Sequence, residues 1–95
     1  MNKYETMFIL KSDLSESDKK AVCTQINETI IKHGGDVSQS SVWAERRKFY
    51  FPIKKAREGT YYLVNFSIDP AAIDKIRHAY NLNENILRML ISVLD

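Results

Sequence analysis

The 95 residues contain one cysteine, two prolines and three glycines. A lone Cys23 excludes an internal disulfide framework and fits a reducing compartment. So few Gly and Pro, with no low-complexity tract and no internal repeat, leave nothing from which to build a disordered linker. Residues 1–95 are therefore read as a single domain. No apolar run approaches the ~18 residues of a membrane span, and the one in "MNKYETMFILKSDL" is too short for a secretory signal. The expectation is a soluble, cytoplasmic protein with no membrane partner. Chemistry-bearing patterns are equally scarce. There is no CxxC pair, no metal-spaced histidine pair and no glycine-rich phosphate loop. His33 and His78 stand alone in helical segments, and the acids are scattered. No catalytic residue, metal, cofactor or small-molecule substrate is expected, and the chain reads as a non-enzyme.

What is present is an uneven distribution of charge. The stretch "ERRKFYFPIKKARE" (residues 45–58) carries Arg46, Arg47, Lys48, Lys54, Lys55 and Arg57 around three consecutive aromatics, Phe49, Tyr50 and Phe51. Between residues 46 and 57 the charge is +6 with no acid, in a chain of net charge +2, so the remainder sums to −4. Concentrated positive charge marks a place for an anionic partner, nucleic acid or a membrane surface. It equally suits a strand and turn kept soluble by their charges, and the local pattern leaves both readings open.

Periodicity places the elements. "KYETMFIL" is a strand with Tyr4, Thr6, Phe8 and Leu10 on one face and Glu5, Met7 and Ile9 on the other. A helix follows from Ser15, where Ser15 and Asp18 resemble a capping box, to the Gly34-Gly35 stop. Val22, Ile26, Thr29, Ile30 and His33 form its apolar stripe, with Cys23 a packed thiol at the border. "DVSQSSVWAERRKFYFPI" is a long strand with Val37, Gln39, Ser41, Trp43, Phe49 and Phe51 of one parity. Its length predicts a bulge near Ala44–Arg47, and Pro52 places it at a sheet edge. "KKAREG" is a turn. "TYYLVNFSI" is the next strand, with Tyr62, Val64, Phe66 and Ile68 opposite Tyr61, Leu63, Asn65 and Ser67. Asp69-Pro70 starts a second helix carrying Ile73, Ile76 and Tyr80 inward; Asn81 is expected to close it in the left-handed conformation. "NILRMLISV" is the last strand, with Leu87, Met89, Ile91 and Val93 on one face and Ile86, Arg88, Leu90 and Ser92 on the other.

The order β-α-β-β-α-β predicts an α+β, ferredoxin-like domain: a four-stranded antiparallel sheet of order 4-1-3-2 with both helices on one face. The other face is left bare, and Met7, Ile9, Tyr61, Leu63 and Leu90 fall on or near it. Such an apolar patch marks a partner surface, self-association or cover by a bent hairpin. RNP-type RNA-binding domains share the topology. Their third-strand signature fits "GTYYLVNF" poorly, since Leu63 stands at the middle aromatic position, Thr60 at the glycine and Tyr62 at the small residue. This argues against base stacking on the sheet face by that mechanism.

"KYETMFIL", Trp43 before "RRKFYFPIKK", "GTYYLVNF" and "NLNENILRMLI" together resemble the bacterial-type small-subunit ribosomal protein six family, from Tyr4 to Val93. The resemblance implies a structural component of the small ribosomal subunit. It would bind the central domain of small-subunit ribosomal RNA cooperatively with ribosomal protein eighteen. Carried onto this sequence, the family's RNA contacts fall on Lys3, Tyr4, Arg46, Arg47, Lys54 and Arg88; charge alone adds Lys48, Lys55 and Arg57. Met7, Ile9, Tyr61 and Leu63 are the candidate protein-partner contacts. Three features depart from the family pattern. Ala44 stands where members have Gly, "KFYFPI" is bulkier than their Leu-Ala-Tyr-Pro-Ile, and Trp43 to Pro52 is one residue longer. An inserted residue flips side chains downstream unless a bulge absorbs it, so it decides which of Arg46, Arg47 and Lys48 faces RNA. Asp95 makes the chain's end acidic. Two further classes share the topology: a stand-alone single-strand RNA-binding module, and a dimeric ferredoxin-like enzyme or sensor.

Overall fold

The computed structural model describes residues 1–94; the acidic end at Asp95 lies outside the described residues. The elements are β1 (Asn2–Lys11), α1 (Glu16–Lys32), β2 (Asp36–Ile53), β3 (Ala56–Ile68), α2 (Ile73–Asn81) and β4 (Ile86–Leu94). The sheet is antiparallel, with order β2-β3-β1-β4. This is the ferredoxin-like arrangement expected from the pattern, and Pro52 lies in an edge strand, where its missing N–H is tolerated.

One face of the sheet is the core. Tyr4, Thr6, Phe8 and Leu10 of β1 pack with Tyr62, Val64, Phe66 and Ile68 of β3 beneath Val22, Ile26 and Ile30 of α1 and Ile76 and Tyr80 of α2. Both helices therefore cover the same face. The Tyr80 ring meets Phe8 edge-on at 4.8 Å, and its hydroxyl donates to the Ile26 carbonyl at 2.7 Å. That bond satisfies the one polar atom a buried tyrosine brings with it. Burial pushes the Tyr80 hydroxyl's pKa well above its ordinary value, so it remains a donor at any working pH.

The helix ends follow their sequence signals. The Ser15 hydroxyl accepts from the Asp18 N–H at 3.1 Å. Gly34 adopts φ +87°, and the Gly34 and Gly35 N–H groups bond back to the Ile31 and Ile30 carbonyls. That 5→2 and 6→1 pair is a Schellman stop, which requires the left-handed residue that glycine supplies most cheaply. Asp69 caps a short 3-10 turn, Pro70–Ala72, before α2 begins.

Four expectations need correction. Asn81 is not left-handed; α2 ends on Leu82 at φ −81°, with its N–H bonded to Ala79 and Tyr80 carbonyls. The turn is narrower than "KKAREG": only Lys54 and Lys55 separate the paired residues Ile53 and Ala56. In β4 a register shift between Ile9 and Leu10 of β1 puts Ile86 opposite Leu10 in the core and takes Leu87 out of the ladder. In β2 a bulge separates Val37, opposite core Phe66, from Gln39, opposite Asn65 on the bare face. Period-two reading carries parity through a strand only where every residue is paired, and these bulges each consume one residue.

Candidate nucleic-acid interface

Pairing lays out the bare face in rows across the sheet. One row is Gln39, Asn65, Glu5 and Ser92; the next is Ser41, Leu63, Met7 and Leu90; the third is Ala44, Tyr61, Ile9 and Arg88. The face thus runs from a polar row through an apolar row to an aromatic and basic one. Met7, Tyr61 and Leu63 are half-buried and Leu90 is half-exposed, whereas Ile9 is only 3% exposed. Ile9 is covered because the β2–β3 hairpin bends over it. A Cβ placed on Gly59 would lie 2.7 Å from Phe49 Cζ and 2.8 Å from Ile9 Cγ2, so both side chains close on that glycine. The bent-hairpin alternative therefore accounts for one end of the bare face, and the Met7–Leu63–Leu90 row stays uncovered.

The bend comes from β2. Between the pairs Ala44–Tyr61 and Arg47–Gly59, β2 has one residue more than β3. The extra residue sits where a bulge is expected, and Arg46 there takes φ +51°. The twist sends the two arginines to opposite sides. The Arg47 guanidinium lies 5.0 Å from the Trp43 ring centre and 5.9 Å from that of Tyr61. Trp43 and Phe49 both pack on Tyr61 as well. Arg47 is thus held over the bare face by cation–π contact. Arg46 turns toward the N-terminal end of α1, where its Nη1 lies 3.7 Å from Glu58 Oε1 and Ser12 donates to the same oxygen at 3.3 Å. Next to it, Glu45 is bound by Lys19 of α1, which also holds Glu16. The Lys19 ammonium holds the Glu45 carboxyl below its ordinary range, and Glu45 followed by Glu16 raises the lysine. This latch ties the bulge to the helix.

Beyond Lys48 the hairpin leaves the sheet, because β1 ends opposite Gly59. Between the pairs Lys48–Glu58 and Ile53–Ala56, the four residues Phe49 to Pro52 face only Arg57. The surplus chain is pushed out, and Tyr50 is fully exposed and Phe51 80% exposed. Lys48, Lys54, Lys55 and Arg57 are exposed on the same arm. Its tip is a two-residue turn with Lys54 at φ 49° and Lys55 at φ 69°, the I′ geometry that ordinarily selects Asn-Gly.

The sequence-proposed residues do not form one patch. Arg47, Lys48, Lys54, Lys55 and Arg57 gather on the arm and its root, and Arg88 lies on the bare face beside Ile9. Lys3 is exposed but pairs with Ser67, eight residues along β1 from the arm's root at Lys11–Gly59, about 27 Å away at the usual strand rise. Tyr4 faces the core, 5% exposed, with its ring stacked on Phe66 at 5.6 Å; even numbering on β1 faces the helices, so its ring is a packing residue. Phe66, its partner across the ladder, is in the core with it. Tyr50 and Phe51 were not among the site residues picked from the sequence. A run of aromatics just before a proline in an edge strand was the signal for them. Burial pushes the Cys23 thiol up in pKa, which keeps it protonated and fits a packed thiol. Among the described residues no group of three or more His, Cys, Asp or Glu could hold a metal ion, and no helix is long and apolar enough to cross a membrane.

The fold has a counterpart among known structures. The fold overlays the crystal structure of 30S ribosomal protein S6 from Thermotoga maritima with a TM-score of 0.89, covering 98% of this chain and 87% of that one at 23% identity. In sequence, the chain is 34% identical to the small ribosomal subunit protein bS6 of Caldanaerobacter subterraneus over 100% of its own length and 99% of the relative's. It is 39% identical to bS6 of Rhodopirellula baltica, whole against 67% of that longer protein. The family model for ribosomal protein S6 matches residues 3–92, and the chain belongs to the ribosomal protein S6 family.

Proposed function

We propose that this chain is a structural, non-catalytic component of the small ribosomal subunit that binds the central domain of small-subunit ribosomal RNA in cooperation with ribosomal protein eighteen. The observation that carries the reading is the match to ribosomal protein S6 along residues 3–92. The arm supports it: Lys48, Lys54, Lys55 and Arg57 stand exposed together, as phosphate contacts require. Such contacts release counterions and fix position more than sequence. Arg47, held beside the Trp43 and Tyr61 rings, offers a guanidinium suited to a phosphate or a base. With a net charge of only +2, the chain alone has weak affinity. A protein partner on the Met7–Leu63–Leu90 row would supply the coupling that makes assembly cooperative.

The test is binding of a central-domain RNA fragment with and without ribosomal protein eighteen, titrated with salt. Replacing Lys48 and Arg57 by Ala removes two phosphate contacts and flattens the log–log slope by about 1.8. An unchanged slope and affinity remove the arm from the site. Met7→Glu with Tyr61→Glu weakens pairing with ribosomal protein eighteen; undiminished pairing removes the bare face from the protein contact.

A further inference from the structure

We infer that Tyr50 is a base-stacking residue, which takes an unpaired nucleobase of the bound RNA against its ring in the cleft at the arm's foot. The inference rests on the RNA-binding reading above and adds the chemical class of group the arm recognises. Three observations carry it. Tyr50 has no packing role in the free protein, since its side chain is fully exposed. It is held out rather than adrift: Phe49, the preceding residue, closes on Gly59 and packs against the Tyr61 ring, and Pro52, two residues on, has a fixed φ. At its foot lies a cleft of about 420 Å³ lined by Lys48, Phe49, Tyr50, Pro52, Arg57 and Glu58. Aromatic and proline surface there adjoins two cations.

The chemistry selects the occupant. A protein partner would meet four exposed cations on the arm and only one acid in the cleft, Glu58, whose carboxylate is already engaged by Ser12 and Arg46. A flipped-out nucleotide supplies both halves of the match, a flat π-face for Tyr50 and a phosphate for Lys48 or Arg57. Stacking is sequence-tolerant, so Tyr50 adds affinity without adding a base preference.

Tyr50 bears on nothing else in the fold, so its variants fold as the parent does. Tyr50→Leu keeps apolar bulk and loses the π-face; Tyr50→Phe keeps the face. On the central-domain RNA fragment with ribosomal protein eighteen present, Tyr50→Leu weakens binding about 5- to 150-fold with the salt slope unchanged, and Tyr50→Phe binds as the parent does. Parental affinity of Tyr50→Leu, while the parent binds RNA, overturns the stacking role and leaves the RNA-binding reading standing. A loss of pairing with ribosomal protein eighteen, without RNA, makes Tyr50 a protein contact instead and also overturns it. If the parent itself binds no RNA, the broader reading fails and this one with it.

Discussion

Lys54→Asn combined with Lys55→Gly separates what the hairpin tip costs from what its charge does. Both lysines sit in the left-handed region, at φ 49° and 69°. That conformation costs about 1–2 kcal/mol for each residue with a Cβ, or about 2–4 kcal/mol for the pair. Asn tolerates it better and Gly freely, but Gly loses about 1 kcal/mol through the greater freedom of the unfolded chain. The net expectation is a gain of about 1–2 kcal/mol, a rise in Tm of roughly 4–16 °C for a domain of this size. The same double variant removes two exposed cations. If both contact phosphate, the slope of log affinity against log salt flattens by about 1.8, and RNA binding weakens at low salt. Calorimetric or urea unfolding and a salt titration on the central-domain fragment, run on one preparation, read both effects. Stability and affinity moving in opposite directions is the signature of a strained turn kept for its charge. A variant no more stable than the parent refutes the strain argument; one that is more stable and binds with an undiminished slope refutes the charge argument.

Three further outcomes follow from contacts described above. Gly59→Ala is destabilising by about 1–3 kcal/mol, because the added methyl meets Phe49, Ile9 and the Leu10 carbonyl within 3.0 Å; unfolding by urea reads it, and a neutral result would mean that Phe49 does not pack there. Tyr80→Phe loses the buried bond to the Ile26 carbonyl and about 1 kcal/mol by the same assay; equal stability would show that the carbonyl's helical partner suffices. Glu45→Gln tests the latch. Because Lys19 holds the folded carboxyl below its ordinary pKa, Glu45 contributes stability that is present above the unfolded value and lost as pH falls through the folded one. The variant should therefore be the less stable at pH 7 and equal to the parent in strong acid, and a pH-independent difference would rule out the ion pair as its cause.

Where the sequence was legible, one physical signal had no competitor. β1 and β3 are paired on both sides, so their alternation survives intact, and Phe8, Leu10, Val64 and Phe66 lie where period two puts them. Ser15 and Gly34 act as local signals that no tertiary contact overrides. The illegible parts are those where pairing and parity come apart. Val37 and Ile86 changed face because a bulge absorbed a neighbour, and nothing in their own identity announces that. Asn81 permits a left-handed stop but does not demand it, and Leu82 continued the helical conformation. The family resemblance carries an RNA contact onto Tyr4, whereas its parity with Phe8 points it inward, and the structure buries it. For the site, charge identified the arm, yet only the bulge count reveals that Arg46 and Arg47 part company and that Tyr50 is pushed out.

The concentration of irregularity in β2 has a physical reason. A bulge breaks ladder bonds on whichever side it faces, and in β1 or β3 it would disturb two neighbours at once. β2 has only β3 beside it, so extra residues around Ser38, Trp43, Arg46 and Phe49–Pro52 disturb a single ladder. An edge strand also needs protection from pairing with another chain, which bulges, proline and lysine supply. Pro52, the bulges and the exposed lysines of the arm therefore answer that need by the same features that lift the arm away from the sheet. The edge is the place where this fold tolerates an inserted residue. An insertion there changes which side chains reach a partner while the core, built on β1, β3 and the two helices, keeps its packing.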